Sequence, residues 1–145
     1  MCRCVVGVDL GGTQIRAALA NNALQLIQQA RQPTCAGEGM QAVLRRIRQI
    51  VAELASGASR AEVMGIGIAS PGPLDPCRGV VIAPPNLPGW QSVTLRDIML
   101  ERFRALVFVN KDASLAGLAE HRLGAGYGTS DMVYATISSG RGDRL

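Results

Sequence analysis

A chain of 145 residues with 48% hydrophobic and 18% charged side chains has the length and apolar content of one ordinary folded domain, which excludes a disordered polar tail. The net charge of +4 comes from arginines spread along the chain; the densest group, Arg45, Arg46 and Arg48, lies on one expected helix without aromatic neighbours for base stacking, so no nucleic-acid binding is expected. No run approaches the ~20 apolar residues of a membrane span, and no membrane association is expected.

In chain order, the first element is a strand from Val5 to Leu10, then Gly11-Gly12, then a second strand from Ile15 to Ala20: a hairpin with a glycine turn. Asn21-Asn22 makes another turn, and Leu24 to Arg31 reads as a third strand. From Gly39 to Ala55, Met40, Val43, Leu44, Ile47, Val51 and Leu54 recur at helical spacing, and Gly57 closes that helix. Val63 to Ala69 is a strand. Pro71, Pro73, Pro76, Pro84, Pro85 and Pro88 then forbid regular structure over about twenty residues. A loop of that length inside a domain is functional or disordered, and Val80, Val81, Ile82 and Trp90 within it favour an ordered, functional one. Thr94 is expected to cap a helix through Arg102. Leu106 to Val109 forms a strand, Asp112 opens a helix ending near Gly124, and Met132 to Ile137 is a last strand. This order of strands and helices is that of one half of a ribonuclease H-like fold, although the order alone also suits other α/β folds.

Cys2, Cys4, Cys35 and Cys77 are scattered. Cys2 and Cys4 make a C-x-C pair with no second ligand pair nearby, too little for a zinc site; the thiols read as reduced and the protein as cytoplasmic. Met1-Cys2-Arg3-Cys4 runs straight into a strand, without the apolar core and cleavage site of a signal peptide.

The segment Asp9-Leu10-Gly11-Gly12-Thr13-Gln14-Ile15-Arg16 lies on the first hairpin. Two glycines let backbone N–H groups turn toward a phosphate, the Thr13 hydroxyl adds a donor, and Asp9 at the strand end is placed to meet a Mg²⁺ shell. A plain glycine turn would explain Gly11 and Gly12 but not the acid beside Gly-Gly-Thr. Gly65 to Asp75 superficially matches a dinucleotide fingerprint. Ser70 stands where its third glycine belongs, however, and Pro71 and Pro73 prevent the helix that would hold a pyrophosphate. Trp90 reads as core packing more readily than as a sugar platform. His121 reads as a surface residue, Gly124-Ala125-Gly126-Tyr127-Gly128 as a helix C-cap and turn, and Arg141-Gly142-Asp143 as a chance match to the integrin tripeptide.

Val8-Asp9-Leu10-Gly11-Gly12-Thr13 resembles the first phosphate motif of the sugar kinase, actin and heat-shock chaperone group, in the form of its ROK branch. Four further stretches resemble ROK motifs in the same order. Gly65 to Asp75 is similar to the segment G-I-G-x-P-G-P-x-D that lines the sugar cleft, and Asn86-Leu87-Pro88-Gly89-Trp90 to N-L-P-G-W, whose asparagine contacts sugar hydroxyls. Val109 to Glu120 resembles N-D-A-N-A-A-A-L-A-E, but Lys111 stands where the family has asparagine and Ser114 replaces the second one. Val133 to Gly140 resembles V-Y-L-T-I-G-T-G, the start of a second phosphate motif. Arg141 to Leu145 then replaces the family's glycine run with charges.

The resemblance covers essentially the whole chain and about half of a family member. It implies an α/β, ribonuclease H-like (actin/hexokinase-type ATPase) N-terminal lobe with a mixed five-stranded sheet and flanking helices. Residues 1–145 are then a single lobe, with the adenine pocket, further sugar-binding acids and the family's zinc motif in a C-terminal lobe outside this sequence. The implied activity is ATP- and Mg²⁺-dependent phosphorylation of a hexose or N-acetylated amino sugar at the 6-hydroxyl, in a homodimer whose other partners are only sugar and nucleotide. Asp112 inherits the role of base, and an Asp at a strand end and helix start can accept a hydroxyl proton, worth ~10²–10⁴ in rate. It can cap its helix at the same time. Gly72, Asn86 and Lys111 are expected to face the sugar; Asp9, Gly11, Gly12, Thr13, Ser139 and Gly140 the phosphates. Two alternatives stand below this. A ROK repressor carries a helix-turn-helix ahead of the phosphate motif, for which the position of Asp9 leaves no room. A truncated, inactive lobe would follow from the need of phosphoryl transfer for both lobes.

Overall fold

In the computed structural model, residues 3–58 and 62–136 are described. β1 (Arg3–Leu10), β2 (Gln14–Asn21) and β3 (Leu26–Pro33) form an antiparallel meander, followed by α1 (Met40–Gly57) and β4 (Glu62–Ser70). β5 (Leu74–Asp75) and β6 (Val80–Val81) make a separate two-stranded ladder; α2 (Leu95–Phe103), β7 (Leu106–Lys111) and α3 (Asp112–Leu123) follow. The main sheet has the order β3-β2-β1-β4-β7, with β1, β4 and β7 parallel. This is the mixed five-stranded sheet with flanking helices that the motifs imply. Residues through Asp112 form one compact unit, and those from Ala113 a second, smaller one.

The period of two in the strands decides which face is covered. Val6, Val8 and Leu10 of β1, Ile15, Ala17 and Leu19 of β2, Ile66 and Ile68 of β4, and Val107 and Val109 of β7 are all buried. They meet Val43, Leu44, Ile47, Ile50, Val51 and Leu54, the apolar stripe of α1, together with Leu95 and Met99 of α2. Each of these side chains larger than alanine contributes roughly 1.5–3 kcal/mol when fully withdrawn from water. α1 lies on the meander and α2 on β7, so the helices cover one face. On the other face Gly7, Asp9, Arg16 and Phe108 are exposed.

Four local expectations need correction. The third strand begins at Leu26 rather than Leu24, because the Asn21 side-chain carbonyl accepts the N–H groups of both Ala23 and Gln25 (3.0 Å each), and Leu24 takes a left-handed φ of 60°. The proline-rich loop does carry regular structure: Leu74 pairs with Val81, Asp75 with Val80, and Val81 bridges to Val93. Thr94 sits at the N-cap of α2, but at φ −76°, ψ 63° its side chain makes no capping hydrogen bond. Residues 132–136 form no strand among the described residues, and Ile137, the last residue of that expected strand, lies outside them.

Within the second unit the glycine-rich turn ends α3 as expected. The Gly124 and Gly126 N–H groups both donate to the Glu120 carbonyl at 3.0 Å, and a His121 ring nitrogen lies 2.9 Å from the Thr129 carbonyl oxygen. No described helix is long and apolar enough to cross a membrane.

Candidate functional site

β1, β4 and β7 run parallel, so their carboxyl ends open on one edge of the sheet, where ligands of open α/β sheets are bound. The register places Asp9, Ala69 and Asn110 in one row across these ends, with Arg16 opposite Asp9 on β2. Gly11, Gly12 and Thr13 follow β1, Gly72 follows β4 and Asp112 follows β7 at this edge.

The β1–β2 turn is closed by the Gly11 N–H, which donates to the Gln14 carbonyl at 2.9 Å. A Cβ on Gly11 would stand 2.8 Å from that same oxygen, so the tight turn requires glycine there. Gly12 is needed for a different reason. A Cβ on it would lie 2.9 Å from Asn86 Cβ and 3.1 Å from the Asn86 carbonyl oxygen. The candidate sugar residue Asn86 therefore packs directly on the candidate phosphate turn.

The loop carrying Asn86 is fixed by its own anchors. Leu87 and Trp90 are buried at 1% and 2% exposure, while Asn86 between Pro85 and Leu87 stays exposed. The Trp90 N–H on the backbone donates to the Leu87 carbonyl, and Ile82 N–H to the Pro73 carbonyl at 2.9 Å. Trp90 is thus a packing residue, although its indole Nε1 finds no hydrogen-bond partner among the described residues. The peptide between Gly72 and Pro73 is cis. A Cβ on Gly72 would come within 3.2 Å of Lys111 Cε, so the Lys111 stem passes over Gly72. Two pairs, Gly12–Asn86 and Gly72–Lys111, thereby bring sequence-distant candidates together.

Asp9 is exposed at the end of β1, yet its carboxyl is held above the ordinary aspartate value. Partial burial is the main cause and repulsion from Asp112 adds to it, while Arg16 opposes both. The two acids are therefore close enough to feel one another. Asp112 is exposed as the first residue of α3, and the preceding Asn110 side chain accepts the Lys111 N–H at 2.8 Å. Ser139 and Gly140 lie outside the described residues. Among the described residues no three His, Cys, Asp or Glu side chains form a cluster that could hold a metal; Cys4 is buried in the core.

One residue of the site gives no sequence signal. Thr34, just past β3, is completely buried; its hydroxyl donates to the Gly11 carbonyl at 2.7 Å and its N–H to the Thr13 carbonyl at 2.8 Å. Nothing local in Pro33-Thr34-Cys35 marks it, since both contacts are to a turn more than twenty residues earlier.

A meander and two parallel strands in this order, with a Gly-Gly-Thr turn at the carboxyl edge, define the ribonuclease H-like fold of actin/hexokinase-type ATPases. The chain belongs to the ROK family, which matches residues 5–143. It is 34% identical over 138 residues to a glucokinase of Thermotoga maritima, covering 95% of this chain and 43% of that protein. Among solved structures, a ROK family glucokinase from Streptomyces griseus in complex with glucose and AMPPNP superposes with a TM-score of 0.76 at 30% identity, over 86% of this chain and 38% of that one. A ROK hexokinase from Thermus thermophilus gives 0.72 at 37% identity, over 81% and 38%. A xylose repressor of Caldicellulosiruptor bescii is also 29% identical over 140 residues, 95% of this chain and 35% of that protein, so a regulator shares the domain. The chain spans about 40% of the length of the first two kinases.

Proposed function

We propose that this chain is the N-terminal lobe of an ATP-dependent hexose kinase, supplying the catalytic base, the sugar-facing loops and half of the phosphate site. The observation that carries the reading is the direct packing of Asn86 on Gly12, in the turn that follows Asp9 on β1, whose carboxyl in turn feels the charge of Asp112 at the start of α3. It sets sugar-facing and phosphate-facing groups side by side, as transfer between the two requires. The solved glucokinase relative was crystallised with glucose and AMPPNP, which supports the same pair of ligands here.

In this reading Asp112 takes the proton of the sugar 6-hydroxyl as its oxygen attacks the γ-phosphorus. The bond to the β–γ bridging oxygen breaks and ADP leaves. Asn86, the Gly72 backbone and Lys111 orient the sugar. Gly11, Gly12 and Thr13 receive the phosphates, with Ser139 and Gly140 assigned to the same role from sequence. Asp9 suits Mg²⁺: it is a hard oxygen donor at the site edge, and a cation would relieve both its desolvation and the charge of Asp112. Bound Mg²⁺ supplies charge neutralisation on the phosphate oxygens.

The test is a chimera in which residues 5–136 replace the matching segment of the Thermotoga glucokinase, assayed by coupled ADP release. Glucose-dependent turnover is expected from the chimera and none from the 145-residue chain alone. Asp112→Asn should lower kcat by ~10²–10⁴ with KM little changed, because the amide keeps the shape but cannot take the proton. An unchanged kcat removes the base assignment.

A further inference from the structure

We propose that Thr34 is a positioning residue that presets the Gly11–Thr13 turn for a phosphate group; this rests on the reading of that turn as the phosphate site. One buried side chain and its own backbone N–H take up two carbonyls of the turn from behind, Gly11 at 2.7 Å and Thr13 at 2.8 Å. In a planar trans peptide the carbonyl and the following N–H point in opposite directions. Fixing the Gly11 carbonyl toward Thr34 therefore fixes the Gly12 N–H away from it, out of the protein's interior. Neither that N–H nor the N–H and hydroxyl of Thr13 donates to any described residue. The Gly11 and Thr13 carbonyls are thus satisfied toward Thr34 while the Gly12 N–H and the Thr13 N–H and hydroxyl are left over, the polarity an anion needs.

Thr34 is itself held. Its carbonyl accepts from Arg46 Nη1 of α1 at 3.1 Å, and Arg46 pairs with Glu38, while its own carbonyl accepts the Gln32 side-chain amide at 2.8 Å. The turn is therefore referenced to α1, the best-buried helix of the sheet's covered face, rather than left to the freedom of two adjacent glycines. Pre-set donors act without reorganising when charge arrives, which is the reason to spend a buried hydroxyl on the back of a turn.

The experiment titrates the ¹⁵N-labelled chain with Mg²⁺-tripolyphosphate and follows the Gly12 and Thr13 amide resonances, in wild type, Thr34→Val and Thr34→Ser. Saturable shifts are expected in wild type, and within about twofold of that affinity in Thr34→Ser, which keeps the hydroxyl. Thr34→Val keeps the volume but loses the donor and should bind about tenfold more weakly. If Thr34→Val does not fold, Thr34→Cys, with its poor thiol donor, carries the same expectation. A merely structural role would lower the unfolding midpoint of Thr34→Val or Thr34→Cys and leave the affinity at the wild-type value; that result overturns the proposal. Absence of any shift at Gly12 and Thr13 in wild type would instead remove the phosphate-site reading, and Thr34's role with it.

Discussion

Replacing Gly12 by alanine measures whether the two halves of the candidate site really touch. The added Cβ would lie 2.9 Å from Asn86 Cβ, 3.1 Å from its Nδ2 and 3.1 Å from its carbonyl oxygen. Carbon atoms in contact prefer about 3.5–4.0 Å, so the loop must move by ~0.6 Å or more. Gly12 has no left-handed φ, and the obstacle is packing rather than backbone conformation. Overpacking of this kind costs about 1–3 kcal/mol, and one kcal/mol moves the midpoint by roughly 2–4 °C in a domain near this size. Thermal unfolding followed by circular dichroism should therefore place Gly12→Ala roughly 2–12 °C below wild type. Gly72→Ala, whose 3.2 Å contact is to the far end of the flexible Lys111 side chain, should fall by less. Asn86→Gly removes the opposing Cβ, so the double variant should recover stability with a coupling above about 0.5 kcal/mol. A wild-type midpoint for Gly12→Ala, or additivity across the cycle, would refute the contact and the side-by-side arrangement built on it.

The frame of the fold is legible in the sequence because it rests on periodicity. Val6, Val8 and Leu10 alternate as a half-buried strand must, and the stripe from Val43 to Leu54 can only be one side of a helix. What the sequence conceals depends on partners that lie far along the chain. In the proline-rich loop the prolines flank the short ladder rather than enter it: Leu74 and Asp75 follow Pro73, and Val80 and Val81 follow Gly79, so the pairing N–H groups survive. Conversely Met132 to Thr136 has the composition of a strand but takes no strand conformation among the described residues, and a strand is stable only when paired. Thr94 has the right residue type for a cap and the wrong backbone angles. The site divides in the same way. Residue types mark Asp9, Asn86 and Asp112, but only the three-dimensional arrangement sets Gly12 against Asn86 and Lys111 over Gly72, and only it finds Thr34.

Asp9→Asn should stabilise the chain at neutral pH. Its carboxyl is raised above the ordinary 3.8, so its favourable contribution is present at low pH and lost as pH rises through the folded value; midpoints of Asp9→Asn and wild type should converge below pH 3.8, and a gain that grows on acidification would contradict the burial argument. Lys111→Asn tests the departure from the family inside the kinase chimera. The Lys111 stem rests on Gly72, so shortening it opens the space above that glycine, and the amide offers both a donor and an acceptor where the ammonium offers only donors. A neutral hexose gains an acceptor for one hydroxyl proton, and its KM should fall by about 2–10-fold, the worth of one hydrogen bond. A sugar bearing a carboxylate or phosphate loses a counter-charge and should bind more weakly by a similar factor. Each outcome says which kind of substrate this site is built for, and an unchanged KM for both would show that Lys111 faces neither.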